Sequence, residues 1–533
     1  DILFSNGIVW TGTALGGVTA VGVAGDRIVY AGDDAGATRL RGPRTRVVDV
    51  RGGLLLPGLV DAHAHLENLG ILLGEVSLVG TGSAAEVLAL VRAAQSRAAP
   101  GAWIHGRGWD QNDWDATAFP TWRDLTGTEA NPVYLDRIDG HAIWANRTAL
   151  DACGITRETP DPAGGRIVRD ANGDPTGVLI DNAEALVVDH VPAPSPAELD
   201  AILRRTIREC NRVGLTGVHD AGTTPDVLAS LRRLGATGEL TLNVYAMLDS
   251  EHPAMTRAAF RRGPAEEFGG RLVLRCVKLR ADGALGSRGA ALLASYADDP
   301  GNSGLAVTPD ESLYVWTAEA LRSGFQAATH AIGDRGNHVT LEAYARALAG
   351  GRADPRLRIE HCQILAPDDI PRFAALGVVA SMQPTHATSD MPWVEARIGR
   401  ARIAGAYAWR SLLDSGATLA FGSDAPVESI DPLWGIYAAA TRRDHAGEPA
   451  GGWLPGELVT VAEALSAFTA GAAFAAFEET DAGTIEVGKR ADLTMVDRDF
   501  RAGPAGAILD ARVVMTVVRG AIVFESGAPG GGD

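Results

Sequence analysis

Eight short apolar runs recur through the middle of this chain, at 57–63, 215–221, 242–248, 273–279, 325–330, 356–361, 378–383 and 418–424, with helix-patterned stretches such as 197–213 and 339–350 between them. Alternation of strand and helix is the signature of β/α units around a parallel sheet. Eight units are enough to close a barrel, and a barrel gathers its chemistry at the C-terminal ends of its strands. The predicted fold class is α/β, a (β/α)8 barrel of the TIM type spanning 56–70 plus 200–482.

The flanks read differently. Residues 2–10, 18–24, 27–31 and 46–50 at one end, and 483–497 and 512–524 at the other, are short β-branched runs parted by Gly, Asp and Asn. Neither set can bury a core alone, so 1–55 plus 483–533 are predicted to form one β-sandwich closed from both termini. Roughly 150 residues separate the first two barrel runs, against about 2–6 for an ordinary β/α loop. Strand-like Trp103-Ile104-His105-Gly106 and Pro132-Val133-Tyr134-Leu135 predict an α/β insertion at 71–199. Leaving the top of the first strand, it is expected to cover the active-site mouth as a lid or recognition unit.

Composition narrows the partners. The net charge of -18 argues against nucleic acid or an anionic membrane surface, since both need a basic patch. No apolar run reaches the roughly 18–20 residues that cross a bilayer. Four cysteines lie far apart without a Cys-X-X-Cys pair, which suggests neither a disulfide framework nor a structural zinc site. Cys276 and Cys362 read as small buried residues. The chain opens on Asp1, so cytoplasmic and periplasmic locations both stay open. The expected partner is a small molecule, with a homodimer as the default oligomer.

Asp61-Ala62-His63-Ala64-His65 follows the apolar run Leu54–Val60. Period two puts His63 and His65 on one face, where two imidazoles can hold one metal ion. Lys278, His330, His361 and Asp424 each fall at the C-terminal end of a later predicted strand. Each has an ordinary reading by itself: a hydrogen-bonded strand-end histidine, a lysine reaching solvent along its stem, an Asx-turn at Asp424 before Pro426. Six such residues at strand ends of one barrel read jointly as a metal site.

The motifs Asp-X-His-X-His, Val-Lys-Leu, Thr-His-Ala-Ile-Gly-Asp, Ile-Glu-His-Cys-Gln and Gly-Ser-Asp-Ala-Pro, in that order, resemble the amidohydrolase superfamily. Phrases 278–288, 330–335, 358–363 and 381–386 are close to its YtcJ-like branch, amidohydrolase family 3, which includes N-substituted formamide deformylases. The resemblance runs from about residue 2 to 525. It implies a (β/α)8 barrel with a flanking β-sandwich, and metal ligands at His63, His65, His330, His361 and Asp424. Lys278 matches a strand-4 lysine that is carboxylated in binuclear members and bridges two metals. The expected cofactor is a divalent metal, zinc first, as one or two ions per chain.

The chemistry expected is metal-assisted hydrolysis of a non-peptide amide or formamide C–N bond, with Asp424 as general base and then acid. His141 and His386 are further candidates to hydrogen-bond a carbonyl oxygen. Asp282 and Arg288 are candidate substrate-orienting residues, although Arg288 reads equally as the partner of an acid such as Asp334. Trp109, with Trp114, Trp144 and Trp393, suggests a partly aromatic pocket. A deaminase or cyclic-amide hydrolase is the neighbouring alternative. A barrel kept as a non-catalytic assembly module would be expected to have lost ligands, and here the set is complete.

Overall fold

In the computed structural model, which describes residues 1–527 apart from 15, 116, 140, 352, 353 and 502, each predicted barrel run is a strand of one sheet. The expected sandwich residues 528–533 lie outside the described residues. The strands are β1 (Leu59–Ala64), β2 (Leu215–Thr223), β3 (Asn243–Asp249), β4 (Leu272–Arg280), β5 (Gln326–Ala331), β6 (Arg358–His361), β7 (Val379–Met382) and β8 (Leu419–Phe421). They lie side by side in chain order, all parallel. A short strand, Ala265–Glu267, pairs antiparallel with β4.

The first and last strands meet through their C-terminal ends. The Asp424 N–H donates to the His63 carbonyl at 2.7 Å, and the His65 N–H donates to the Ala425 carbonyl at 2.8 Å. The Ser423 hydroxyl donates to the Asp61 carboxylate at 2.6 Å. A Cβ on Gly422 would lie 2.5 Å from both Asp61 Oδ1 and the His63 nitrogen, so only glycine permits this approach. The helices outside follow the amphipathic rule: Pro196–Arg212 buries Leu199, Leu203, Ile207 and Cys210 at spacings of three and four.

The apolar run Leu54–Val60 is not one strand. Leu54–Pro57 belongs to the sandwich, β1 begins at Leu59, and Gly58 lies between them. A Cβ there would meet Thr216 Oγ1 at 2.2 Å and Asp492 Cβ at 2.9 Å. The chain thus turns from one layer to the other where no side chain fits. One sandwich sheet orders Arg27–Gly32, Ala20–Ala24, Ile2–Ser5 and Arg46–Asp49; the other orders Ile8–Val9, Leu54–Pro57, Leu493–Val496, Val513–Val518 and Ala521–Glu525. Phe4, Val21, Ile28, Leu55, Leu493 and Met515 fill the space between them.

Two compact units result: Asp1–Leu69 with Leu199–Asp533, which holds sandwich and barrel together, and Gly70–Glu198. The second unit contains both helices and a sheet. Its six-stranded sheet orders Gly165–Arg169, Pro175–Asp181, Ala142–Ala145, Val133–Arg137, Ile104–Trp109 and Val76–Ser77. No helix among the described residues is long and apolar enough to cross a membrane.

Candidate metal centre

His63 and His65 emerge on one side of the β1 end, as period two requires. The Nε2 atoms of His63 and His65 lie 3.4 Å and 3.1 Å from Asp424 Oδ1, delivered by the chain just after β8. Lys278, on β4, brings its Nζ to 3.1 Å from His63 Nε2. The ring of His361, at the end of β6, lies 4.8 Å from that of His63 and 4.5 Å from that of His330, on β5. One ligand atom each from His63, His361 and Asp424 lies within 4.8 Å of the others. The structure therefore brings together all six residues that the motifs picked out. His361 and Asp424 have left-handed backbones, φ 77° and 60°. Such conformations are uncommon outside glycine and cost on the order of 1–3 kcal/mol, which the surrounding contacts must offset.

A buried polar layer lies beneath. His63 Nδ1 is 2.6 Å from Glu360 Oε2, and Glu360 Oε1 accepts from Arg358 Nε at 2.9 Å. Arg358 also donates to the Ala62 carbonyl, the Ser381 hydroxyl and His219 Nδ1. This guanidinium ties β1, β2, β6 and β7 together. Burial pushes the Glu360 carboxyl up, but Arg358 and His63 outweigh it and hold the group well below the usual carboxylate range. An ionised Glu360 can only accept, so His63 carries its proton on Nδ1 and turns the Nε2 lone pair to the centre.

The titration pattern suits a cation. Burial, helped by Lys278, lowers His63 to about 4 and His330 to about 3. Burial and His330 hold His361 well below its usual value. All three rings are neutral near pH 7, the form that ligates metal. Burial raises Asp424, but the His65 hydrogen bond and the surrounding histidines bring it well below the usual range. Burial lowers Lys278 to about 8, which increases its share of neutral amine. The Nε2 of His330 is buried with no hydrogen-bond partner among the described residues, Asp282 Oδ1 standing just too far at 3.6 Å. Three neutral imidazoles, an ionised carboxylate and an orphaned ring nitrogen fit a divalent metal ion.

Of the other predicted residues, only His386 joins the centre, its Nε2 3.7 Å from Asp424 Oδ2. His141 belongs to the insertion, where its exposed ring meets Asp181 at 2.9 Å. Asp282 is buried and accepts backbone N–H bonds from Ala291, Ile332 and Gly333, so it staples two loops instead of facing a substrate. Arg288 pairs with Asp298, not Asp334. Trp109 is fully buried in the insertion core with Trp114 and Trp144, its Nε1 donating to the Leu135 carbonyl. Trp393 packs beside Arg397. The expected aromatic pocket is thus largely core packing.

Arg358, Glu360, His219 and Gln383 went unread in the sequence. A signal existed for two of them. Arg358 and Glu360 alternate around Ile359, so a predicted barrel strand carried two opposite charges on one side.

A parallel eight-stranded barrel with this donor set at its C-terminal end is the architecture of a metal-dependent hydrolase. A family model described as "Amidohydrolase family" matches residues 46–524, and the chain belongs to that family. Bacillus subtilis (strain 168) YtcJ is 35% identical over 494 residues, covering 91% of each chain. An N-substituted formamide deformylase of Arthrobacter pascens is 29% identical over 95% of each. The crystal structure of a metal-dependent hydrolase from Pyrococcus furiosus superposes with a TM-score of 0.78 at 29% identity, over 93% of this chain and 99% of that one.

Proposed function

We propose that this enzyme hydrolyses a non-peptide C–N bond, an amide or formamide, in a small molecule. The observation that carries the reading is the convergence of His63, His65, Lys278, His330, His361 and Asp424 at one end of the barrel, with three rings neutral and one ring nitrogen orphaned. The deformylase among its relatives supports the bond type.

His63, His65, Asp424, His330 and His361 would hold the metal, zinc being the first expectation for imidazole donors. A bound divalent ion supplies a Lewis acid and lowers the pKa of water from about 16 to about 7. The protein's own groups do the rest. Asp424, ionised and facing the histidines, takes a proton from the attacking water at a carboxylate oxygen. It then returns that proton to the departing amine nitrogen, because an amine leaves poorly unless protonated. His386 Nε2, beside Asp424, is placed to donate to the carbonyl oxygen as negative charge develops there.

Lys278 supports a two-metal site. Its neutral amine can add to carbon dioxide, losing a proton and forming a carbamate that would bridge two ions; as an ammonium it cannot ligate. Native intact-mass measurement, with Lys278→Ala as reference, should show one added carbon dioxide. A screen of N-formyl amines, N-acyl amino acids and cyclic ureas with zinc-loaded enzyme tests the bond class. Turnover confined to a non-amide substrate would reject it.

A further inference from the structure

Two neighbouring histidines are held by glutamines that present opposite ends of their amides. The rings of His361 and His386 lie 6.1 Å apart and nearly parallel, at 18°. Gln383 turns Oε1 to His361 Nδ1 at 2.8 Å. A carbonyl oxygen only accepts, so His361 keeps its proton on Nδ1 and leaves the Nε2 lone pair free to ligate. Gln363 turns its amide nitrogen to His386 Nδ1 at 3.0 Å. An amide nitrogen only donates, so Nδ1 of His386 is the acceptor and a neutral ring must carry its proton on Nε2.

That Nε2–H is buried and has no hydrogen-bond partner among the described residues; Asp424 Oδ2, at 3.7 Å, is too distant. Leaving a buried donor unpaired costs about 1–3 kcal/mol, so native structures rarely do it without a use. An oxygen entering between His386 and Asp424 would satisfy it. Gln363 is buried, and its backbone carbonyl accepts the Tyr407 N–H at 2.7 Å, which anchors its main chain beside His386.

We propose that Gln363 is a positioning residue that locks His386 as an Nε2–H donor to the substrate carbonyl oxygen, while Gln383 sets the opposite tautomer on His361. The donor role rests on the C–N hydrolase reading above; the tautomer lock does not.

Histidine-selective 15N labelling of the zinc-loaded protein, read by long-range 1H–15N correlation, reports each tautomer without substrate. The His386 signals are assigned by their loss in His386→Asn. Wild-type His386 should carry its proton on Nε2. Gln363→Glu should move a proton onto Nδ1, because a carboxylate only accepts, with zinc content unchanged. On any amide that turns over, Gln363→Glu and Gln363→Leu should lower kcat by about 10-fold or more, with KM changed far less, as expected when a donor acts mainly in the transition state. A wild-type His386 protonated on Nδ1, or a tautomer indifferent to Gln363→Glu, overturns the proposal. An equal loss in KM alone overturns the donor role. The expected tautomers without turnover of any amide reject the bond class while upholding the lock.

Discussion

Replacing Glu360 by Gln keeps the side chain's size and removes the charge that Arg358 and His63 both use. The variant should bind zinc about 10–100-fold more weakly in chelator competition, the usual cost of losing a partner behind a metal-binding histidine. It should also lower the melting temperature, because Arg358 would be left buried without its counter-charge. Asp424→Asn should behave differently: metal content largely retained by elemental analysis, turnover down by about 100-fold or more. The six candidate ligands were legible in the sequence because each ends an apolar run, where a polar side chain stands out. The surroundings of Asp282 and Arg288 were not legible, because their partners, three loop N–H groups and Asp298, are brought to them only by the folded loops.

At the scale of elements, Gly58 and His105 make separate predictions. Gly58→Ala places a methyl group against Thr216 and Asp492. It should destabilise the protein by about 1–3 kcal/mol, the usual cost of overpacking, seen as a lower midpoint in urea. In the insertion, His105 lies between Glu75 at 3.0 Å and Asp136 at 2.8 Å and stacks on Tyr134. Burial alone would lower its pKa, but the two carboxylates raise it from 6.5 to about 9. A raised folded value means stabilisation that is fully present below about pH 6.5 and fades as pH rises through about 9. Hydrogen exchange in Ile104–Trp109 should therefore speed up between about pH 6 and pH 10, beyond its intrinsic pH dependence, by an opening cost on the order of 2 kcal/mol. His105→Gln should abolish that excess. Barrel strands were readable from periodicity, and the run Leu54–Val60 was divided between 55 and 56, whereas the structure breaks it at Gly58. Pro57-Gly58 interrupts the run, but the crowding by Thr216 and Asp492 that requires glycine at 58 appears only in the fold.

For the whole molecule, metal and stability should be coupled. Removing metal with a chelator should abolish turnover and lower the melting temperature, and added zinc should restore both. An ion at about 1,000 times its Kd contributes roughly 4 kcal/mol to the folded state. Full activity of demonstrably metal-free protein would reject the mechanism. The β/α architecture was legible because eight alternations leave few ways to bury that much apolar surface. The substrate was not, because specificity depends on loop conformations that no periodicity encodes.

The sandwich drawn from both termini has a consequence for synthesis. Leu54–Pro57 pairs on one side with Ile8–Val9, made before it, and on the other with Leu493–Val496, made long after it. At about 5–20 residues per second, an emerging chain carries that apolar edge uncovered for on the order of half a minute. Until Leu493–Val496 emerges, Leu54, Leu55 and Leu56 form a natural handle for a chaperone.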